Sequence, residues 1–299
     1  MTHTEKIRYA VGADIGGSHI CTAVVDLASG TLCADPVSVP VDCHAGAIAI
    51  LEAWAEGIRQ SVHRSGVSPM CAGLAFPGPF DYRRGISLIR GVDKFDRIYG
   101  LDVAQSLRDR LRDVGVGDFR FVNDASAFAL GECLGGVVRD AGRVVALTLG
   151  TGVGSGFVAE HRLVESGDEV PTNGWVYHLP FENGIVDEAF STRWICSRYH
   201  ELTGRKVEGA KQVADRYAED PAARRLFDEY GERLAAFAGP VLERFHCGVL
   251  LLGGNIARAY ELFRPALERR FAADGRQVEV YISRLLDRAA LFGAASLFL

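Results

Sequence analysis

Four glycines stand at alternate positions in Gly150-Thr151-Gly152-Val153-Gly154-Ser155-Gly156, between the apolar runs 144–149 and 157–159. Glycine weakens a strand and adds no side chain to a core. Such a run suits a backbone that lies close to a ligand. A shorter version stands near the start. The strand-like run 7–13 leads into Asp14-Ile15-Gly16-Gly17-Ser18, and a β-rich run resumes over 20–27. Both segments set glycines and a hydroxyl between two apolar runs. They form a weak internal repeat of strand, glycine turn and strand, one copy per lobe.

The remaining punctuation supports α/β lobes. Residues 46–64 carry Ala47, Ile50, Leu51, Trp54, Ile58 and Val62 at the spacing of an amphipathic helix. A short strand over 70–76 ends at Pro77-Gly78-Pro79, and one over 119–122 ends at Asn123-Asp124. Helices are predicted over 103–111 and 125–134. Residues 201–239 are charged and read as largely helical, with 240–245 continuing the helix. A buried strand over 249–252 runs into Gly253-Gly254-Asn255, and 285–299 reads as an apolar closing helix.

A length of 299 residues suggests about two domains. Against 38 Asp+Glu the chain has 33 Lys+Arg, a net charge of −5, which argues against a nucleic-acid or membrane surface as the main partner. No apolar run approaches the roughly 18 residues of a spanning helix, and the first six residues hold no apolar signal core. A cytoplasmic protein is expected. The seven cysteines are scattered, with no CxxC and no tight Cys/His cluster. They read as reduced thiols, and no structural zinc is expected.

Several segments could carry chemistry. At Asp14-Ile15-Gly16-Gly17-Ser18, two glycines let backbone N–H groups approach an anion and Ser18 adds a donor. Asp14 could hold a metal ion or its waters. The same residues also make a plain hairpin turn. Gly12, Gly17 and Ser18 have the spacing of a Walker A loop, but the lysine is missing and no helix follows, so a P-loop is rejected. Gly154, Gly156 and Ala159 nominally fit a dinucleotide fingerprint, again without a convincing helix after them. Asp124 at a strand end could accept a hydroxyl proton, or cap the helix before Ala125. His178 is a lone histidine, and Glu188 a favourable charge near a helix N-terminus.

The order of these motifs carries more than any one of them. Asp-Gly-Gly, Pro-Gly-Pro, Asn-Asp, a threonine-bearing glycine run and Gly-Gly-Asn, in that order, resemble the actin-like ATPase superfamily, and within it the sugar kinases of the ROK (repressor/ORF/kinase) family. The resemblance covers nearly the whole chain. It implies a two-lobed actin-like (ribonuclease H-like) α/β fold with a cleft between lobes. The lobes would be 1–124, with helix 285–299 packing back on it, and 125–284. It implies ATP and Mg²⁺ as cofactors, a small-molecule sugar as substrate and a homodimer. Asp124 would be the general base. Asn123, Gly78, His178 and Glu188 would lie at the sugar, and Asp14 would face Mg²⁺ through water. Gly16, Gly17, Ser18, Gly150, Thr151, Gly152, Gly253, Gly254 and Asn255 would hold the nucleotide. No N-terminal helix-turn-helix is read, so the DNA-binding repressors of the family are not matched.

Two departures stand out. Where the family carries a sugar-binding Glu, this chain has Trp175, and where its cysteine-rich zinc motif follows, residues 181–187 contain no cysteine. Inherited glucose specificity is therefore not expected. Two rival classes are a non-catalytic sugar-binding regulator of the same fold and an NAD-dependent oxidoreductase using the Gly154 region.

Overall fold

A computed structural model describes residues 7–299; the first six residues, read above for a signal core, lie outside the described residues. The chain forms two compact units, Met1–Gly136 with Asp287–Leu299, and Val137–Leu286.

The first unit opens with β1 (Tyr9–Ile15) and β2 (His19–Asp26), an antiparallel hairpin that continues through the short β3 (Thr31–Leu32) and β4 (Val37–Pro40). Helix α1 (Ala47–Ser65) follows, then β5 (Cys71–Phe76), the small hairpin β6 (Phe80–Asp81) and β7 (Ile86–Ser87), α2 (Val103–Arg110), β8 (Asp118–Asn123) and α3 (Asp124–Gly135). Strands β1, β5 and β8 are parallel neighbours. Their C-terminal ends bring Asp14, the Pro77-Gly78-Pro79 turn and Asn123-Asp124 to one edge of the sheet, where open α/β sheets bind ligands. Helix α1 forms as its spacing predicts. Ile50, Leu51, Trp54, Ala55, Ile58 and Val62 are buried, and Gly66 in the left-handed conformation ends it. Trp54, Phe76, Phe80, Phe95 and Phe121 form one aromatic cluster next to the strand ends, so the edge carrying the acids rests on a packed floor.

In the second unit β9 (Arg143–Leu149), β10 (Val153–Ala159) and β11 (Arg162–Leu163) form an antiparallel meander. The hairpin β12 (Pro180–Phe181) and β13 (Gly184–Ile185) precedes α4 (Val186–Phe190), α5 (Thr192–Thr203), α6 (Ala210–Ala214) and α7 (Pro221–Arg244). Strand β14 (Val249–Gly253) lies parallel to β9, α8 (Gly254–Ala257) and α9 (Tyr260–Ala273) follow, and β15 (Glu279–Ile282) completes the sheet. The stretch 201–239 is largely helical, as expected, and is divided among three helices. Gly204 in the left-handed conformation ends α5, and Asp220 caps α7 through the Ala222 N–H.

The chain then returns to the first unit with α10 (Ala289–Ala295), flanked by 3₁₀ turns at 286–288 and 296–298 rather than forming one helix over 285–299. It packs against α3, β1 and β5 at glycines. A Cβ on Gly12, Gly73 or Gly131 would overlap the backbone of Leu291, Ala294 or Ala289, and one on Gly293 would overlap Ala127. Because α3 belongs to this interface, the boundary falls at Gly136 rather than at residue 124.

Candidate functional site

Within the first unit, Asn123 is the N-cap of α3, its Oδ1 accepting the Ala125 N–H at 3.1 Å. Asp124, read above as a possible cap, is instead the first helical residue. Its Oδ1 also accepts the Ala125 N–H, at 2.8 Å. The Asp124 side chain is open to solvent yet crowded by protein. That desolvation raises its carboxyl above the ordinary range, against the Ala125 N–H and the Lys94 cation, which pull it down. The free face of Asn123 is oriented by a residue the sequence did not mark. Asn123 Nδ2 donates to the Tyr82 hydroxyl at 3.3 Å, and that hydroxyl donates to Phe76 O at 3.0 Å. A Cβ on Gly78 would lie 3.5 Å from the same hydroxyl.

Asp14 sits on β1 opposite Cys21. Desolvation, then the charges of Asp124 and Asp287, push its carboxyl up to about 7. An acid so placed prefers its proton in the folded state. Its contribution to stability is therefore fully present below the unfolded value of 3.8 and is lost as pH rises through about 7. In the ligand-free protein, Asp14→Asn should match wild-type stability at pH 4 and exceed it at pH 8 by up to a few kcal/mol. Urea unfolding at the two pH values checks this, and an equal midpoint shift at both would refute it.

The turn after β1 is closed by Gly16 N–H to His19 O at 2.9 Å, and Ser18 Oγ lies 3.1 Å from His19 Nδ1. The second unit repeats the device. Gly150 O accepts Thr192 N–H at 2.7 Å and Thr192 Oγ1 at 3.0 Å, while Val153 N–H goes to Asp187 Oδ1 at 2.8 Å. Among the described residues the N–H groups of Thr151 and Gly152 make no hydrogen bond, and Thr151 is exposed. Consecutive open N–H groups on a glycine turn form an anion-binding concavity. Beside this turn, Gly254 (φ 82) packs so closely on Leu149 that a side chain would overlap its carbonyl. Asn255, Lys211, Asp215, Arg258 and Leu262 line a pocket of about 670 Å³.

Each glycine turn by itself suits phosphate, and in the first unit Asp14 suits a hydrated divalent cation. The turns offer backbone donors, and Asp14 carries a carboxylate whose charge its neighbours oppose. Among the described residues no group of three or more His, Cys, Asp or Glu is placed to hold a metal. Mg²⁺ keeps most of its waters and needs one or two carboxylates besides phosphate.

The predicted acceptor residues of the second unit are arranged differently. Trp175 and Tyr177 lie with ring centroids 6.3 Å apart, and Tyr177 meets His178 edge-on at 5.0 Å. Tyr177 and His178 are exposed and Trp175 is half-buried. Glu188 caps the start of α4, its Oε2 accepting the Ile185 N–H at 3.2 Å. The acid that reaches the glycine run is its neighbour Asp187. Gly154, Gly156 and Ala159 all lie in β10, an antiparallel strand, so the fingerprint reading fails for want of a helix.

The ROK family profile matches residues 10–299. The chain belongs to the ROK family. An N-acetyl-D-glucosamine kinase of Mannheimia succiniciproducens is 26% identical, over 96% of this chain and 98% of that protein. A glucokinase of Thermotoga maritima is 28% identical, over 75% of this chain and 78% of its own length. The crystal structure of a ROK hexokinase from Thermus thermophilus superposes with a TM-score of 0.78 at 27% identity, covering 96% of this chain and 97% of the other. The ROK fold is the two-lobed actin-like ATPase fold, and the strand order of both sheets here follows from it: each begins with a glycine-turn hairpin and adds parallel strands beside it.

Proposed function

We propose that this ROK protein is an ATP-dependent sugar kinase that phosphorylates a hydroxyl of a hexose or N-acetylhexosamine. The observation that carries the reading is Asp124, a solvent-open carboxylate at a sheet edge, raised by desolvation and set beside an oriented amide. A carboxylate raised above its ordinary range is a better acceptor for the proton of an alcohol. Kinase relatives aligned over nearly the whole chain support the same reading.

Asp124 accepts the proton of the attacking hydroxyl, and Asn123 hydrogen-bonds a neighbouring one. Tyr82 holds Asn123 in that orientation. Mg²⁺–ATP, when bound, supplies the phosphoryl group and neutralises charge on it. In the second unit the Thr151 and Gly152 N–H groups would hold phosphate oxygens; in the first, the Gly17 and Ser18 N–H groups would do the same and Asp14 would hold the hydrated cation. Gly253, Gly254 and Asn255 would hold the nucleoside. Catalysis here rests on positioning and charge stabilisation. A requirement for Mg²⁺, a homodimer and a cytoplasmic location belong to the same proposal.

A coupled ADP-release assay across hexoses, amino sugars and polyols tests it. Turnover with at least one sugar is expected. Sugar binding without turnover would make the protein a regulator.

Trp175 governs the choice of sugar in this proposal. Indole donates one hydrogen bond and accepts none in the manner of a carboxylate, while its face suits a ring's C–H surface. Sugar hydroxyls would then rest on Asn123 and Asp124 in the first unit, with His178 and Glu188 as the candidates of the second. Trp175→Glu is expected to reorder substrates by about tenfold or more in kcat/KM, since a buried hydroxyl without its partner is costly. The same ranking and the same kcat/KM values in both proteins would remove Trp175 from the account of specificity.

A further inference from the structure

Residues 174–192 carry the proposed acceptor side chains, and three side chains tie this segment to the glycine run. The Ser155 hydroxyl, buried, donates to Gly174 O at 2.6 Å and accepts the Val176 N–H at 3.0 Å. Asp187 accepts the Val153 N–H at 2.8 Å with one oxygen and Arg193 Nη2 at 2.8 Å with the other. Thr192 donates twice to Gly150 O. The aromatic stretch is closed on the same point, since Asp187 N–H donates to Tyr177 O at 2.9 Å.

Gly152 records the same arrangement in the sequence. A Cβ there would lie 2.7 Å from Asp187 Oδ1, so this glycine leaves room for the carboxylate. A separate anchor leads elsewhere: Arg233 on α7 grips Glu182 at the tip of the β12–β13 hairpin through Nε at 3.1 Å and Nη2 at 2.8 Å.

We infer that Ser155 and Asp187 are positioning residues that make the acceptor segment and the phosphate turn one rigid piece, so that sugar and nucleotide each tighten the other's binding. The inference rests on the kinase reading for the identity of the two ligands. A shift that either ligand imposes on this piece is carried to the other's contacts, and such coupling is reciprocal by linkage. Loosening the clamp therefore weakens both affinities and removes their mutual effect. Damage confined to the acceptor side would weaken only one.

The test combines amide hydrogen exchange with titrations of a non-hydrolysable ATP analogue and the best sugar, each alone and in the presence of the other. Asp187→Ala should speed exchange at Val153 and at 175–178. It should weaken both ligands by about fivefold or more and abolish their mutual tightening. Asp187→Asn keeps a carbonyl oxygen for the Val153 N–H and should recover most of both effects, which also separates clamp loss from misfolding. Glu182→Ala should speed exchange at the hairpin tip and leave nucleotide affinity unchanged. Faster exchange in Asp187→Ala at 150–153 alone, with mutual tightening intact, would overturn the inference. The exchange measurement reads the clamp in any case, whereas a wild-type protein that binds sugar and never transfers phosphate would sink the kinase reading instead.

Discussion

Asp124→Asn is expected to lower kcat with the best sugar by about 10²–10⁴-fold, the usual cost of removing a general base, with a much smaller change in KM. The substitution keeps the shape of the side chain, and its amide oxygen can still accept the Ala125 N–H that Asp124 Oδ1 now accepts at 2.8 Å. Crowding by the surrounding protein disfavours the ionised acid, so the variant should unfold no earlier than wild type at pH 8. The pH profile gives a second readout. Because the folded carboxyl lies above its ordinary range, wild-type kcat should fall as pH drops through that raised value, and the variant should lose this limb. Near wild-type kcat in Asp124→Asn, with any sugar that turns over, would falsify the assignment.

Gly73→Ala, the addition of one methyl group, should cost about 3 kcal/mol or more of stability. Ordinary overpacking of a core costs 1–3 kcal/mol because side chains can rearrange. Here the obstacle is the main chain of Ala294 on α10, which can yield only if the helix shifts. The same holds for Gly12 against Leu291 and Gly131 against Ala289. Two such changes together would remove about 6 kcal/mol or more, the whole stability of a domain at the low end of the usual 5–15 kcal/mol. Gly117→Ala is the control, since nothing lies within 4 Å of the added atom and its φ is not in the left-handed region. Urea midpoints should separate the two variants clearly. Gly73→Ala within about 0.5 kcal/mol of wild type would mean that α10 is free to slide.

Legibility in the sequence followed how locally each feature is encoded. Helix α1 is readable because its buried residues recur at helical spacing, and the glycine turns are readable because their composition is local. Residues that matter only through tertiary neighbours gave no such signal. Tyr82, Lys94 and Asp287 come to Asn123, Asp124 and Asp14 through folding alone. Glu188 and Asp187 are adjacent in sequence, but the direction of α4 decides which reaches Val153. The glycines Gly12 and Gly73 read as ordinary strand residues, since their partner on α10 is more than two hundred residues away along the chain. The breaks at 204–209 and 215–220 disappeared in the charged composition of that stretch, because helix termination there depends on single caps.

The placement of α10 has a consequence for the order in which the protein is made. The surface formed by Gly12, Gly73 and Gly131 is translated early, while the helix that covers it follows the whole of Val137–Leu286. At about 5–20 residues per second, a ribosome takes roughly ten to thirty seconds over that interval. Throughout it the nascent first unit holds a sheet face and α3 without their cover, and it cannot close however well its own sequence is suited to folding. The second unit is one continuous stretch, Val137–Leu286, and takes no element from beyond it. The segment made first therefore waits for the segment made last, and until then its glycine face lies uncovered.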